Sequence, residues 1–274
     1  MTKPLKNACT VCSVQAFYFT KVWIPCLDEA LTKSWLTGHE FASNGMYIRL
    51  MGRTIPRIYR FMSKLEADAF VIYDSMPDVS DILEQYYLTL EETLEIADEL
   101  RIRHPYSGEY YNPVTTDLLI HKGDVWIARA VKPSRELETK RVLEKLEIER
   151  IYFERRSIDW KIITEKELNR DLVKNLHWLW YGESPDIALG NHHLLLEAGS
   201  VFRRLYEEDL LPFPQLLNRI ESDFRLAPGS GLCIFKFLIR QGEIQIDLSR
   251  PLNTLNPHQP CERSVPDARY HSYC

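Results

Sequence analysis

The clearest pattern of apolar and polar positions lies in the middle of the chain. Residues 114–121 and 125–132 form two runs rich in β-branched and aliphatic side chains, separated by Lys122-Gly123-Asp124. That pattern predicts a β-hairpin. With Lys122-Gly123 as the two-residue turn, Asp117 lies opposite Ala128. Side chains alternate between faces along a strand, so Asp117, Ala128, Ala130 and Lys132 project from one side of the sheet. A carboxylate and an ammonium are thereby aimed at one space. Pro133 stops the second strand, and Ser134 is a candidate N-cap for a long helix running to about residue 156. Val142, Leu143, Leu146 and Phe153 supply its apolar stripe. Glu149 falls on the same stripe, where it either sits at the edge or is held by a buried partner. A short strand over 160–164 and a further helix opening at Glu165 follow.

Upstream, Phe61, Leu65, Ala69 and Ile72 recur every three to four residues, a helical spacing that Ser63 can cap and that Pro77-Asp78 ends. Residues 82–90 are mixed, extended around Gln85-Tyr86-Tyr87-Leu88. His104-Pro105 and Ser107-Gly108 mark a loop. Beyond residue 169, helical stretches at 172–181, 186–206 and 213–224 precede a second predicted hairpin. Its arms, 232–240 and 243–249, meet at Gln241-Gly242. Phe235 would pair with Leu248, Phe237 with Ile246 and Ile239 with Ile244, all on one face. Helices followed by a hairpin is the order of a winged-helix module. Residues 251–274 contain four prolines and few aliphatics, the composition of a flexible tail. The expected division is therefore 1–168, a smaller winged-helix-like domain at 169–250, and a tail at 251–274.

At 274 residues the chain is long enough for two cores. It contains no apolar run of about 18 residues, so no membrane-spanning helix is expected. The opening residues are polar rather than a signal core, and six cysteines spread between Cys9 and Cys274 suit reduced thiols in the cytoplasm. Cys9 and Cys12 have the spacing of half a zinc site, with Cys26 and His39 the nearby completing candidates; ordinary thiols are the competing reading. Formal net charge is −5, which alone disfavours a nucleic-acid partner. Its distribution changes that picture. Residues 42–65 carry Arg49, Arg53, Arg57, Arg60 and Lys64 and no acid, whereas 66–100 carry eleven acids and no Lys or Arg. A polyanion meets the local patch, not the sum. The basic stretch is a candidate DNA-binding surface, weighed against plain solvated surface.

A helical Glu ahead of a hairpin that aims Asp and Lys at one point is what metal-dependent phosphodiester hydrolysis needs. Carboxylate oxygens hold a hard cation such as Mg²⁺. The cation offsets the phosphate charge and acidifies water, and a lysine positions that water or stabilises developing charge. By spacing alone, such Glu, Asp and Lys combinations also arise by chance in any charged chain.

At these residues the chain resembles the TnsA endonuclease subunits of heteromeric cut-and-paste transposons. The resemblance rests on Lys64-Leu65-Glu66, Arg103-His104-Pro105, Thr115-Thr116-Asp117-Leu118-Leu119 and Val131-Lys132-Pro133. It continues through residues 143–150, Trp160, Thr164, Lys166-Glu167 and 175–179. It implies a restriction-endonuclease-like α/β fold, a mixed sheet flanked by helices. It also implies Mg²⁺ held by Glu66 and Asp117, with Lys132 as the lysine of a (Gln/Glu)-x-Lys motif. The Gln or Glu of that motif falls on Ala130, whose methyl cannot ligate. Three readings stay open: water or the Val131 carbonyl fills the gap as the metal ligand, activity is reduced, or the residue was altered deliberately. Glu149 is a possible supporting residue. The implied partners are double-stranded DNA at transposon ends, a TnsB-type transposase and a TnsC-type AAA+ regulator. The implied activity is cleavage at the 5′ ends of the element; the alternative is a catalytically weakened subunit that bridges transposase and regulator.

Overall fold

A computed structural model describes residues 47–108, 110–181, 191–209 and 211–252, together with strands β1 (Phe17–Phe19) and β2 (Val22–Ile24). The candidate zinc residues Cys9, Cys12, Cys26 and His39 and most of the proposed tail lie outside the described residues. The chain divides into two compact units, Met1–Leu168 and Asn169–Cys274.

In the first unit, β3 (Ile48–Met51) and β4 (Ile58–Phe61) form a hairpin, followed by α1 (Lys64–Asp74) and the long strand β5 (Val79–Tyr87). Helix α2 (Leu90–Glu99) and two short strands, β6 (Tyr106–Ser107) and β7 (Tyr110–Tyr111), come next. β6 and β7 join β1 and β2 in a small sheet. The central hairpin is β8 (Thr115–Lys122) and β9 (Val125–Val131); α3 (Lys140–Glu154) and β10 (Asp159–Ile163) complete the unit. The main sheet runs β10-β9-β8-β5. β10 lies parallel to β9 and the other neighbours are antiparallel, so the sheet is mixed.

The turn of the central hairpin is Gly123-Asp124, not Lys122-Gly123. Lys122 pairs with Val125, and Leu119, not Asp117, faces Ala128. Gly123 takes a φ of 58°, which glycine adopts freely at the first central position of a hairpin turn. The register differs from the expected one by two residues. A two-residue slip preserves which face each side chain takes, so the grouping of Asp117 with Lys132 survives the error.

Helices cover both faces of the sheet. Leu119 and Ala128 pack with Ile96 and Ala97 of α2 and with Ile148, Tyr152 and Phe153 of α3. The opposite face carries Arg129, whose Nε donates to the Tyr73 hydroxyl of α1 at 3.1 Å. Arg129 is fully buried and charge-paired: Nη2 donates to Asp159 Oδ2 at 2.8 Å, and Nη1 donates to the Asp159 and Ala128 carbonyls. Its planar fork ties β9, β10 and α1 together, a task a point-charge lysine could not perform.

The helix expected to open at Ser134 does so as a 3₁₀ turn over Ser134–Glu138, and the α-helix starts only after Thr139. Ser134 is not its N-cap; its N–H and hydroxyl donate to the Glu165 carboxylate instead. Glu165 itself lies in a turn, and the next helix, α4 (Arg170–Trp180), is capped by Asn169.

The second unit adds α5 (His192–Glu207), α6 (Phe213–Asp223) and α7 (Ser230–Arg240) to α4. Its core gathers Leu195, Phe202, Phe213, Leu216, Ile234, Phe235 and Leu238. The predicted second hairpin is wrong. Residues 230–240 are α7, and 243–249 form no strand, so the described part of this unit is helical and lacks the wing. The run from Leu232 to Ile239 is apolar at all but one position and satisfies a period of two as readily as one of 3.6. Burial of Gly231, Ile234, Phe235 and Leu238 shows which period the packing selects.

Candidate active site

Glu66 enters the site from the first turn of α1. Ser63 caps that helix by accepting from the Glu66 N–H at 3.1 Å, and its hydroxyl donates to Glu66 Oε1 at 2.8 Å. The Ser-x-x-Glu spacing of a capping box thus bends the carboxylate back over the helix start, where the Met62 N–H also reaches Oε2 at 3.1 Å. Asp117 comes from β8. Its Oδ2 accepts the Val131 N–H at 2.6 Å and Lys132 Nζ at 2.8 Å. The two carboxylates meet at a third residue, Gln85 of β5. Gln85 Nε2 donates to Glu66 Oε2 at 3.2 Å and to Asp117 Oδ1 at 3.3 Å.

Gln85 reaches this position because its backbone is left-handed, with a φ of 52°. The ladder between β5 and β8 pairs Glu84 with Leu118 and Tyr86 with Thr116, and omits the pair between them. Leu83 and Tyr86 both pack on the α2–α3 core although they lie three positions apart. The left-handed residue shifts the phase of alternation. Nothing in the residue pattern singles out Gln85; the break in alternation shows only in the packing.

Electrostatics follow from burial. Removal from water raises the Glu66 carboxyl to about 7, and the Asp117 charge pushes the same way, against the Met62 and Ser63 hydrogen bonds and the Lys132 ammonium. Partial burial pulls Lys132 down, but Asp117, Glu149 and Glu66 outweigh it and hold the ammonium above its ordinary value. Lys132 therefore stays charged.

Glu149 is not at the edge of its stripe. It is buried in α3 among the site residues, and burial raises its carboxyl to about 8; Asp117 adds to the rise while Lys132 opposes it. The Trp160 indole N–H and the Thr116 hydroxyl lie beside the carboxyl and also oppose the rise. Ala130 is fully buried and offers the site only a methyl.

The five basic residues part ways. Arg57 forms an ion pair with buried Glu84, at 3.0 and 2.5 Å, and stacks over Tyr59. Arg53 Nε donates to the Asp74 carbonyl at 2.8 Å. Both are tied to the fold by these contacts, Arg57 half-buried and Arg53 still exposed. Arg49 and Arg60 are direct cross-strand partners on β3 and β4, and among the described residues neither forms an ion pair. Exposed Lys64 holds Asp68 one helical turn on.

A mixed sheet between helices, with Glu66, Asp117 and Lys132 gathered at the end of its central hairpin, has the architecture of the restriction-endonuclease-like class. Residues 76–165 match the family model described as TnsA-like endonuclease N terminal, and residues 167–248 match TnsA endonuclease C terminal. The chain belongs to the TnsA-like endonucleases. It is similar to the Transposon Tn7 transposition protein TnsA of Escherichia coli, 29% identical over 217 residues that span 78% of each chain. Asp117, Ala130, Lys132 and Glu149 fall inside the matched N-terminal segment, and Glu66 precedes it.

Proposed function

We propose that this chain is the cation-dependent endonuclease subunit of a transposon, cutting DNA at the 5′ ends of the element. The observation that carries this reading is the convergence of Asp117 with Lys132 on one side and, through Gln85, with Glu66 on the other.

The site's chemistry suits a divalent cation. Two buried carboxylates approach one point. Burial, and after it the Asp117 charge, raises the Glu66 carboxyl, a penalty that a bound cation would relieve. Glu66 and Asp117 would hold the ion, with the Val131 carbonyl a candidate next to them; Mg²⁺ is the ion we favour for these hard oxygen donors. When bound, the cation supplies charge neutralisation at the phosphate and acidifies water. Lys132 remains protonated and, oriented by Asp117, stabilises negative charge at the reacting phosphate. Glu149 lies on the inner side of Lys132 and supports its placement.

Arg49, Arg60 and Lys64 are the residues we assign to phosphate contacts. Like charges directly opposite on paired strands repel, and a polyanion lying across β3 and β4 would reverse that repulsion. By analogy with the family resemblance, the partners are a TnsB-type transposase and a TnsC-type regulator, and the protein works on DNA in the bacterial cytoplasm. Ala130 favours the alternative of a weakened, bridging subunit; the intact Lys132–Asp117 contact favours the enzyme.

The test is cleavage of transposon-end DNA by the full chain assembled with its transposase, across a Mg²⁺ titration. Wild-type protein should nick the 5′ ends and Asp117→Asn should not. Equal products from both proteins would remove the endonuclease reading.

A further inference from the structure

Among the described residues no three His, Cys, Asp or Glu side chains gather around one point. Glu66 and Asp117 are therefore a pair, and the remaining coordination positions of a hard cation fall to water, backbone carbonyls or other neutral oxygen donors. Ala130 contributes none. The group that does stand between the two carboxylates is the carboxamide of Gln85, with Nε2 at 3.2 and 3.3 Å from their oxygens. Gln85 is 6% exposed, so this amide is committed to the interior. A non-glycine residue in the left-handed region is strained. Such a conformation persists only where its surroundings hold it, and here it delivers one side chain to the carboxylate pair.

We propose that Gln85 is a further cation-binding residue of this site, turning its carboxamide oxygen toward the ion that Glu66 and Asp117 hold. The inference rests on the reading that a divalent cation binds there. An amide has two ends, and a half-turn about its last torsion exchanges Oε1 and Nε2. With no cation bound, the NH₂ end faces the carboxylates and eases their mutual repulsion. Thr115 Oγ1 meanwhile donates to Oε1 at 3.3 Å. With a cation bound, the oxygen end faces it, and the Thr115 hydroxyl, which can also accept, takes a hydrogen bond from Nε2. One side chain serves both states, and its partner Thr115 is kept in each.

The competing role is a purely structural bridge, in which only the NH₂ end matters. Gln85→Glu separates the two, because a carboxylate keeps the oxygen and loses both donors. Gln85→Gly removes the side chain while accepting the left-handed backbone without strain. Mn²⁺ is titrated into the full chain, with the free ion followed by EPR and thermal melts recorded in EDTA. Gln85→Gly should weaken Mn²⁺ binding roughly 10- to 100-fold. Gln85→Glu should bind at least as tightly as wild type, and melt lower than wild type in EDTA, where three carboxylates face each other. Loss of Mn²⁺ affinity in Gln85→Glu as large as in Gln85→Gly would overturn the proposal in favour of the structural bridge. Equal affinity in all three proteins would remove Gln85 from the site. Asp117→Asn is the control on the underlying reading: if wild type binds no Mn²⁺, or Asp117→Asn binds it as wild type does, the cation site itself fails.

Discussion

The Lys132 ammonium donates to Asp117 Oδ2 at 2.8 Å, joining the end of one strand of the central hairpin to the start of its neighbour. Lys132 is 29% exposed on its side chain and Asp117 only 8%, so the pair opens toward solvent on the lysine side. A charge that faces outward while anchored by a buried carboxylate can meet a phosphate without leaving its anchor.

Lys132→Met should lower cleavage and also cost some stability, since buried Asp117 loses its charge partner. The methylenes are retained, and Asp117 keeps its hydrogen bond from the Val131 N–H. Loss of an electrostatic group aimed at developing charge lowers rate by about 10²–10³. Single-turnover cleavage of transposon-end DNA measures this, with a melting curve to show that the variant is folded. A fall of less than about threefold would mean Lys132 is structural.

Stability should fall as pH rises between about 4.5 and 8. Glu66 and Glu149 carry folded values of about 7 and about 8, above their unfolded value of 4.5. Across that window the folded state retains protons that the unfolded state has lost, so unfolding becomes easier with rising pH. Glu149→Gln, which stays neutral throughout, should flatten the upper part of the profile and melt higher than wild type at pH 8. Parallel melting-temperature profiles for the two proteins would show that Glu149 does not titrate in this range.

The arginines of the basic stretch should separate into two kinds. Neutralising Arg49 and Arg60 together, as glutamines, should reduce the log–log salt slope of DNA binding by about 2 and leave the melting temperature close to wild type. Arg57→Ala should instead destabilise by roughly 2–4 kcal/mol, because Glu84 would be left buried and unpaired. Filter binding at several salt concentrations and chemical denaturation distinguish the two. An unchanged slope would return Arg49 and Arg60 to plain surface.

Ala130→Gln tests whether the methyl at that position limits the enzyme. The site is fully buried, so the larger side chain should cost about 1–3 kcal/mol of stability. With Gln85 already supplying an amide, we expect cation affinity and the Mg²⁺ dependence of cleavage to change by less than about threefold. A large gain in cleavage at low Mg²⁺ would show that Ala130 had impaired the wild-type chain.

What the residue order determined by itself was local and periodic. Ser63 and Glu66 lie within one turn, so the cap of α1 could be read directly, whereas Glu66 as a site residue rested on the family resemblance. Asp117 and Lys132 belong to one hairpin, and the alternation of strand faces keeps them together even when the register is mistaken by two. Where a run is apolar at nearly every position, as from Leu232 to Ile239, periodicity cannot choose between strand and helix; burial against Phe202 and Phe213 chose the helix. The tertiary structure alone decided that Glu149 is buried, that Arg57 pairs with buried Glu84, and that β10 lies parallel beside β9. It alone brought Gln85 between Glu66 and Asp117. Residues 19 and 32 positions away in the chain meet there through strand pairing and one left-handed backbone angle, and neither leaves a period for composition to carry.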